Sequence, residues 1–232
     1  MNDSYANLAI VIATKTAKCL HVMLASIDAY VPKEVTVIIS GSDLELPRHN
    51  TINLPNNGTN YGDSYNDVVR YAFDMFPEII VANDDIVLTP SSFDLLIEDK
   101  VLLKNHNLGW LCSRADYVRG LQNIRDAGEY RNGVKFVEEG QAIQSDVLSP
   151  LFGIISREAW VDYMPINWYS DDIQCLQIQA NGFQNYISRS YVHHVGSQTI
   201  GMDNRKNDQE AQEWIKVNIP DLYHVWFGNK FT

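Results

Sequence analysis

Apolar positions fall in short, dense runs through the first ninety residues. Residues 8–13 read LAIVIA and residues 35–40 read VTVIIS, both rich in β-branched side chains. Runs without polar alternation predict strands buried on both faces, as in a parallel sheet. Further strands are predicted at 51–54 and 79–82. Between them the period changes. Leu20, Met23, Leu24 and Ile27 recur at helical spacing and predict a helix over 19–29 that ends near Pro32. Val68, Val69, Ala72, Phe73 and Phe76 predict a second helix over 64–76. The stretch 55–63, dense in Pro, Asn and Gly, reads as a loop, and Thr89-Pro90 opens a third helix over 91–103.

The later half is less regular. Strands are predicted at 108–112, 151–156, 183–188 and 190–194, and helices at 157–163, 171–180 and 208–217; residues 114–148 are mixed and polar. Alternating strands and helices predict an α/β fold, an open and mostly parallel sheet with helices on both faces. One domain is expected over 1–232, with a ligand-binding half at 1–105 and a second half at 106–232. Ligands of such sheets bind beyond the carboxyl ends of the strands. Thr14–Thr16, Gly41–Asp43 and Asn83–Asp85 fall there.

Composition narrows the function classes. There are 29 acidic and 18 basic residues, a net charge of −11. That excess opposes non-specific duplex binding and docking on anionic membranes, yet leaves room for a local basic site. Cys19, Cys112 and Cys175 are far apart and form no CxxC pair, as expected of free thiols in a reducing compartment. The chain shows no signal-peptide pattern and no apolar run near the roughly 20 residues of a membrane span. A cytoplasmic location is the expectation.

Three constellations could carry chemistry. Asn83-Asp84-Asp85 ends a buried strand. Two adjacent carboxylates there are costly to desolvate unless a cation or several donors offset them, and hard oxygens suit Mg²⁺ or Mn²⁺ carrying a phosphate. The plain alternative is a cap on the following turn. Asp171-Asp172, beside Trp168, Tyr169 and Ser170, precedes a helical pattern. It reads either as a helix N-terminus or as a general base beside an aromatic platform. His193-His194 ends a strand, so only one of the two faces a given site. The loop 57–62 is glycine-rich but carries neither a Walker nor a GxGxxG pattern, and no serine or cysteine stands out as a nucleophile.

The order of these parts resembles the family-2 glycosyltransferases of the GT-A fold. The succession is an apolar strand, a strand ending in GSD, an N-x-G loop feeding a helix, N-D-D-I-V-L-T-P, G-x-x-x-S-R-E-A-W, an acidic pair, G-F and H-H-V-G-S. The likeness runs from residue 8 to about residue 200. It implies a nucleotide-sugar site, a UDP-sugar being favoured, with Thr14 and Lys15 at the base. Asp43 matches the acid closing the D-x-G-S-x-D turn, with Ser40 where the leading aspartate is usual. Asn60, Gly62 and Asn66 resemble the N-x-G…N loop. Asn83, Asp84 and Asp85 resemble the D-x-D motif, with Asp85 as the ligand of Mn²⁺ or Mg²⁺. Asp171 and Asp172 resemble the E-D motif, whose second acid is the catalytic base, and Gln177 replaces the arginine usual after it. His193 fits the metal- or diphosphate-binding histidine of H-x-x-G-S, with His194 as runner-up.

The resemblance implies an inverting, metal-dependent transfer of a hexosyl or pentosyl group to an acceptor hydroxyl. Its members act on glycans, lipids and proteins, and in some viruses on hydroxymethylated DNA bases. DNA modification by a bacteriophage enzyme in the host cytoplasm therefore stands beside a glycan acceptor. Trp168 and Tyr169 are the candidate acceptor platform. Arg119, Arg125 and Arg131 lie in the segment 114–135, where five basic residues face three acidic ones, and could hold an acceptor's phosphates. Two other classes stay open. A nucleotidyltransferase activating a sugar phosphate would want a glycine-rich loop after the first strand, where Ala13-Thr14-Lys15-Thr16 has none. A non-catalytic nucleotide-sugar or glycan-binding module would be expected to lose the acidic pairs.

Overall fold

The computed structural model describes residues 5–16, 18–124, 141–195 and 205–228. One mixed sheet organises them. Its strands are β1 (Leu8–Ala13), β2 (Thr36–Ser40), β3 (Thr51–Leu54), β4 (Glu78–Ala82), β5 (Ile86–Leu88), β6 (Leu108–Ala115), β7 (Ile143–Gln144), β8 (Phe152–Ser156) and β9 (Gln184–His194). The spatial order is β3-β2-β1-β4-β8-β6-β9-β5, with β7 also paired to β9. The pairings make six strands run one way, with β5, β7 and β8 opposed, so the sheet is mostly parallel as expected.

The apolar runs explain the layers. Leu8, Ile10 and Ile12 of β1 face one side, where α1 (Leu20–Tyr30) and α3 (Ser92–Leu102) bring Leu20, Met23, Ile27, Phe93 and Leu96. Ala9 and Val11 face the other, against Val68, Val69, Ala72 and Phe73 of α2 (Tyr61–Met75) and Cys175 and Ile178 of α4 (Ser170–Ala180). Burying each such aliphatic side chain stabilises by about 1.5–3 kcal/mol. A separate cluster, Ile166, Ile173, Ala211, Ile215 and Phe227, ties α5 (Arg205–Asn218) and α6 (Pro220–Phe227) to the start of α4.

The chain runs from β1 through α1 to β2 and β3 on one side, then crosses by α2 to β4 on the other. This reversal opens a crevice at the carboxyl ends of β1 and β4. Gly41, with φ of 98°, closes its rim: a Cβ there would lie 2.1 Å from the Thr14 carbonyl oxygen.

Three local expectations are corrected, and one helix lies where none was predicted. The helix at 157–163 is only a turn, because Asn66 clamps the Tyr163 backbone through its N–H (2.8 Å) and carbonyl (2.9 Å) and Pro165 disfavours helix at the residue before it. The strands at 183–188 and 190–194 are one, β9. Its polar middle is satisfied by buried Asp99, which accepts from the Ser188 hydroxyl and the Arg189 N–H, each at 2.7 Å. Helix α2 starts at Tyr61 because Asn60 caps it, accepting the Asp63 N–H at 2.9 Å. The aromatic tail contains a helix, α6, that spacing did not reveal.

Candidate functional site

A cleft of about 530 Å³ opens at the crevice. Its walls include Ala13, Lys15, Asn83, Asp84 and Asp85 from the ends of β1 and β4, and Trp168, Tyr169 and Asp171 from the start of α4. Tyr117, Arg119 and His194 complete the charged rim. Asp84, Asp85 and Asp171 therefore line one cavity, with Asp172 buried just behind Asp171 and not itself on the wall.

The first pair is shallowly buried, with Asp84 at 9% and Asp85 at 7% exposure. Thr14 Oγ1 donates to Asp84 Oδ2 at 2.5 Å. Burial pushes the Asp84 carboxyl up to about 6; the Thr14 bond opposes that rise and the Asp85 charge adds to it. Asp85 Oδ1 lies 3.4 Å from His194 Nε2. The Tyr117 carbonyl oxygen lies 3.1 Å from His194 Nδ1. Burial opposes charge on His194, but Asp85, the Tyr117 carbonyl and Asp116 outweigh it and raise its pKa above the usual histidine value.

The expected histidine is displaced by one. In β9, His194 pairs with Ile86 and His193 with Val87, so alternate side chains leave the sheet on opposite faces. His194 reaches Asp85. His193 turns away, half exposed, with Nδ1 2.9 Å from Asp116 Oδ2.

The second pair starts α4. Asp171 lines the cleft and accepts the Ser149 hydroxyl at 3.0 Å. Asp172 is 7% exposed and lies against Arg119, whose Nη2 is 3.2 and 3.0 Å from its two oxygens. Burial pushes the Asp172 carboxyl up to about 6, with Asp171 adding to the rise and Arg119 opposing it. Arg119 thus lines the cleft with its guanidinium against the candidate base, a buried carboxylate that needs a counter-charge. Among the described residues, Tyr117 (φ 57°) and Tyr169 (φ 64°) are the two non-glycine residues with positive φ, and both line the cleft.

Several expected donor residues stand outside. Asp43 is exposed on the loop after β2 and does not line the cleft. Asn60 is spent on capping α2, and Asn66 on clamping Tyr163. Gly62 serves packing, since a Cβ there would lie 1.9 Å from the Met164 carbonyl oxygen. Arg125 and Arg131, with Gly196 and Ser197, lie outside the described residues. Conversely Asn56, which donates to the Thr14 carbonyl at 2.9 Å, and Tyr61, Tyr65, Ser149 and Asn167 line the cleft without having been singled out. Asn56 was visible only as part of a generic turn.

No family model and no curated protein matches the chain. Solved structures do. S. aureus TarS 1–349 in complex with UDP-GlcNAc aligns with a TM-score of 0.59 at 13% identity, covering 91% of this chain and 66% of that one. The TarS 1–349 structure without that ligand gives 0.56 at 14%, and the chain spans 64% of it, less than two thirds of its length. GalNAc-T7 with UDP, GalNAc and Mn²⁺ gives 0.60 at 12%, covering 83% of this chain and 44% of that one. Among the described residues no helix is long and apolar enough to cross a membrane. The chain has the GT-A fold of these glycosyltransferases.

Proposed function

We propose that the chain is a glycosyltransferase that moves a sugar from a UDP-sugar to an acceptor hydroxyl with inversion at the anomeric carbon. The observation that carries this reading is a cleft beyond the carboxyl ends of β1 and β4 lined by Asp84, Asp85 and Asp171, with Asp172 next to it against the cleft residue Arg119. UDP in the TarS and GalNAc-T7 complexes supports the same donor here. Lys15, Asn83 and Asp84 line the donor wall, with Thr14 holding Asp84.

A divalent cation fits the first pair. Among the described residues no group of three or more His, Cys, Asp or Glu that could hold a metal ion is present, so diphosphate oxygens would have to complete the coordination. Asp85 and His194 would hold it, the Tyr117 carbonyl fixing the proton on His194 Nδ1 and leaving Nε2 as donor. Oxygen and imidazole donors suit Mn²⁺, with Mg²⁺ the alternative; the cation supplies charge neutralisation for the leaving diphosphate.

The second pair supplies the base. Asp172 takes the acceptor hydroxyl's proton as that oxygen attacks the anomeric carbon, and the sugar–phosphate bond breaks with its electron pair leaving on UDP. No covalent enzyme intermediate is needed. Trp168 and Tyr169, which line the cleft, would contact the acceptor.

Mass spectrometry of candidate acceptors, incubated with a panel of nucleotide sugars, tests the reading. A mass gain of one sugar with release of UDP is expected. The acceptors are neutral glycans and hydroxymethylated DNA, each at low and moderate salt. Turnover that falls steeply with salt assigns a phosphate-bearing acceptor, and salt-insensitive transfer a neutral glycan. Phosphorylation or nucleotidyl transfer in place of a sugar would overturn the proposal.

A further inference from the structure

Arg119 stands at the start of the short 3-10 turn Gly120–Gln122, outside the helix that carries the acidic pair. Its Nη2 straddles both Asp172 oxygens at 3.2 and 3.0 Å and lies 3.9 Å from Asp171 Oδ1. One nitrogen shared between two oxygens leaves each with a further lone pair. The guanidinium carbon lies 6.0 Å from the Trp168 ring centre and 5.8 Å from that of Tyr169, within reach of cation–π attraction. Tyr169 is itself fixed: its hydroxyl donates to Asp208 at 2.6 Å, and its ring packs on Phe227 at 5.6 Å.

The loop that carries Arg119 also reaches the first acidic pair. Asp116 accepts the His194 backbone N–H at 2.8 Å, and the Tyr117 carbonyl faces His194 Nδ1. Four consecutive residues thus place an imidazole beside Asp85 and a guanidinium on Asp172.

We propose that Arg119 is a positioning residue for the transfer, acting through Asp172: it aims the carboxylate at the acceptor hydroxyl and keeps it charged. The inference rests on Asp172 being the base. The groups facing Asp172 are Asp171 on α4, the Tyr169 phenol at the helix start, the Cys175 thiol one turn on, and Arg119. Burial raises the phenol and the thiol, so both stay neutral near pH 7. Asp171 repels charge on Asp172 and Arg119 supports it. Loss of Arg119 therefore moves Asp172 further up.

The test is a ¹³C NMR titration of aspartate carboxyls in the full chain, paired with UDP release from UDP-GlcNAc, water serving as acceptor. The signal absent in Asp172→Asn identifies the group. In Arg119→Gln it shifts to higher pH by about one unit or more. UDP release falls roughly 10- to 100-fold at an unchanged KM for UDP-GlcNAc, with its acidic limb moved the same way. Arg119→Lys restores the titration but only part of the rate, because an ammonium replaces the charge and not the planar geometry. If Arg119→Gln is poorly folded, the lysine variant's rate loss with an unmoved titration carries the result. An unmoved titration and rate in Arg119→Gln, or an effect confined to KM, overturns the proposal. Wild-type UDP release by Asp172→Asn overturns the base reading itself, independently of what Arg119→Gln does.

Discussion

The two acidic pairs of the cleft are alike in residue type and opposite in electrical setting. Asp84 and Asp172 are both nearly buried, and burial pushes both up to about 6. Their partners differ. Around Asp84 and Asp85 the structure sets a neutral hydroxyl, Thr14, and an imidazole, His194. Against Asp172 it sets a permanent cation, Arg119, whose charge does not titrate in the physiological range. A pair faced, among the described residues, by a hydroxyl and a titratable imidazole, and by no permanent cation, is suited to take one up with a diphosphate. A pair with its own counter-charge is suited to hold a carboxylate ready for a proton. Sequence spacing alone does not separate these cases; the partners do.

The largest effect that sharpens the comparison is on rate. Asp172→Asn should lower UDP-sugar turnover by roughly 10²–10⁴, the usual loss for a general base. Asp171→Asn should lower it less. A base must be unprotonated, and the Asp172 carboxyl is raised, so wild-type kcat/KM should fall as pH drops through about 6 and level off above it. A steady-state pH series checks this. Reversed severity of the two variants would transfer the base role to Asp171.

The next effect separates the histidines. His194→Ala should raise the Mn²⁺ concentration that half-saturates UDP binding at least as much as loss of an outer-shell partner, roughly 10- to 100-fold. His193→Ala should leave it nearly unchanged, since His193 faces Asp116 on the other side of β9. Calorimetric titration of UDP across Mn²⁺ concentrations measures both.

The smallest effect is on stability. Tyr169→Phe removes one hydrogen bond to Asp208 while keeping the ring packing. Loss of about 1 kcal/mol is expected, or about 2–4 °C in Tm at this chain length. A change of Mn²⁺-dependent UDP binding in this variant would contradict the separation of the two walls.

The first half was legible because its strands are buried on both faces. LAIVIA and VTVIIS leave no amphipathic ambiguity, and β1, β2 and β3 lie at or within a residue of their predicted bounds. The start of α2 was also readable in hindsight, since Asn60 and Asp63 form a capping pair ahead of the apolar stripe. The histidine was not. β5 is three residues long, too short to register as a strand, yet its antiparallel pairing with β9 decides which histidine faces Asp85. Nor could local spacing join Arg119 to Asp172, 53 positions apart. A contact of that range depends on how the tertiary fold brings the start of α4 to the residue before the turn at 120–122, which no motif encodes.

The most direct test of the division of labour is a thermal melt with UDP, with and without Mn²⁺, on three proteins: wild type, Asp85→Ala and Asp172→Asn. Ligand at 100 times its dissociation constant stabilises by about 2.7 kcal/mol, enough to move Tm by several degrees. The account predicts a Mn²⁺-dependent UDP shift in wild type and in Asp172→Asn, and none in Asp85→Ala. A full shift in Asp85→Ala, or its loss in Asp172→Asn, would contradict it.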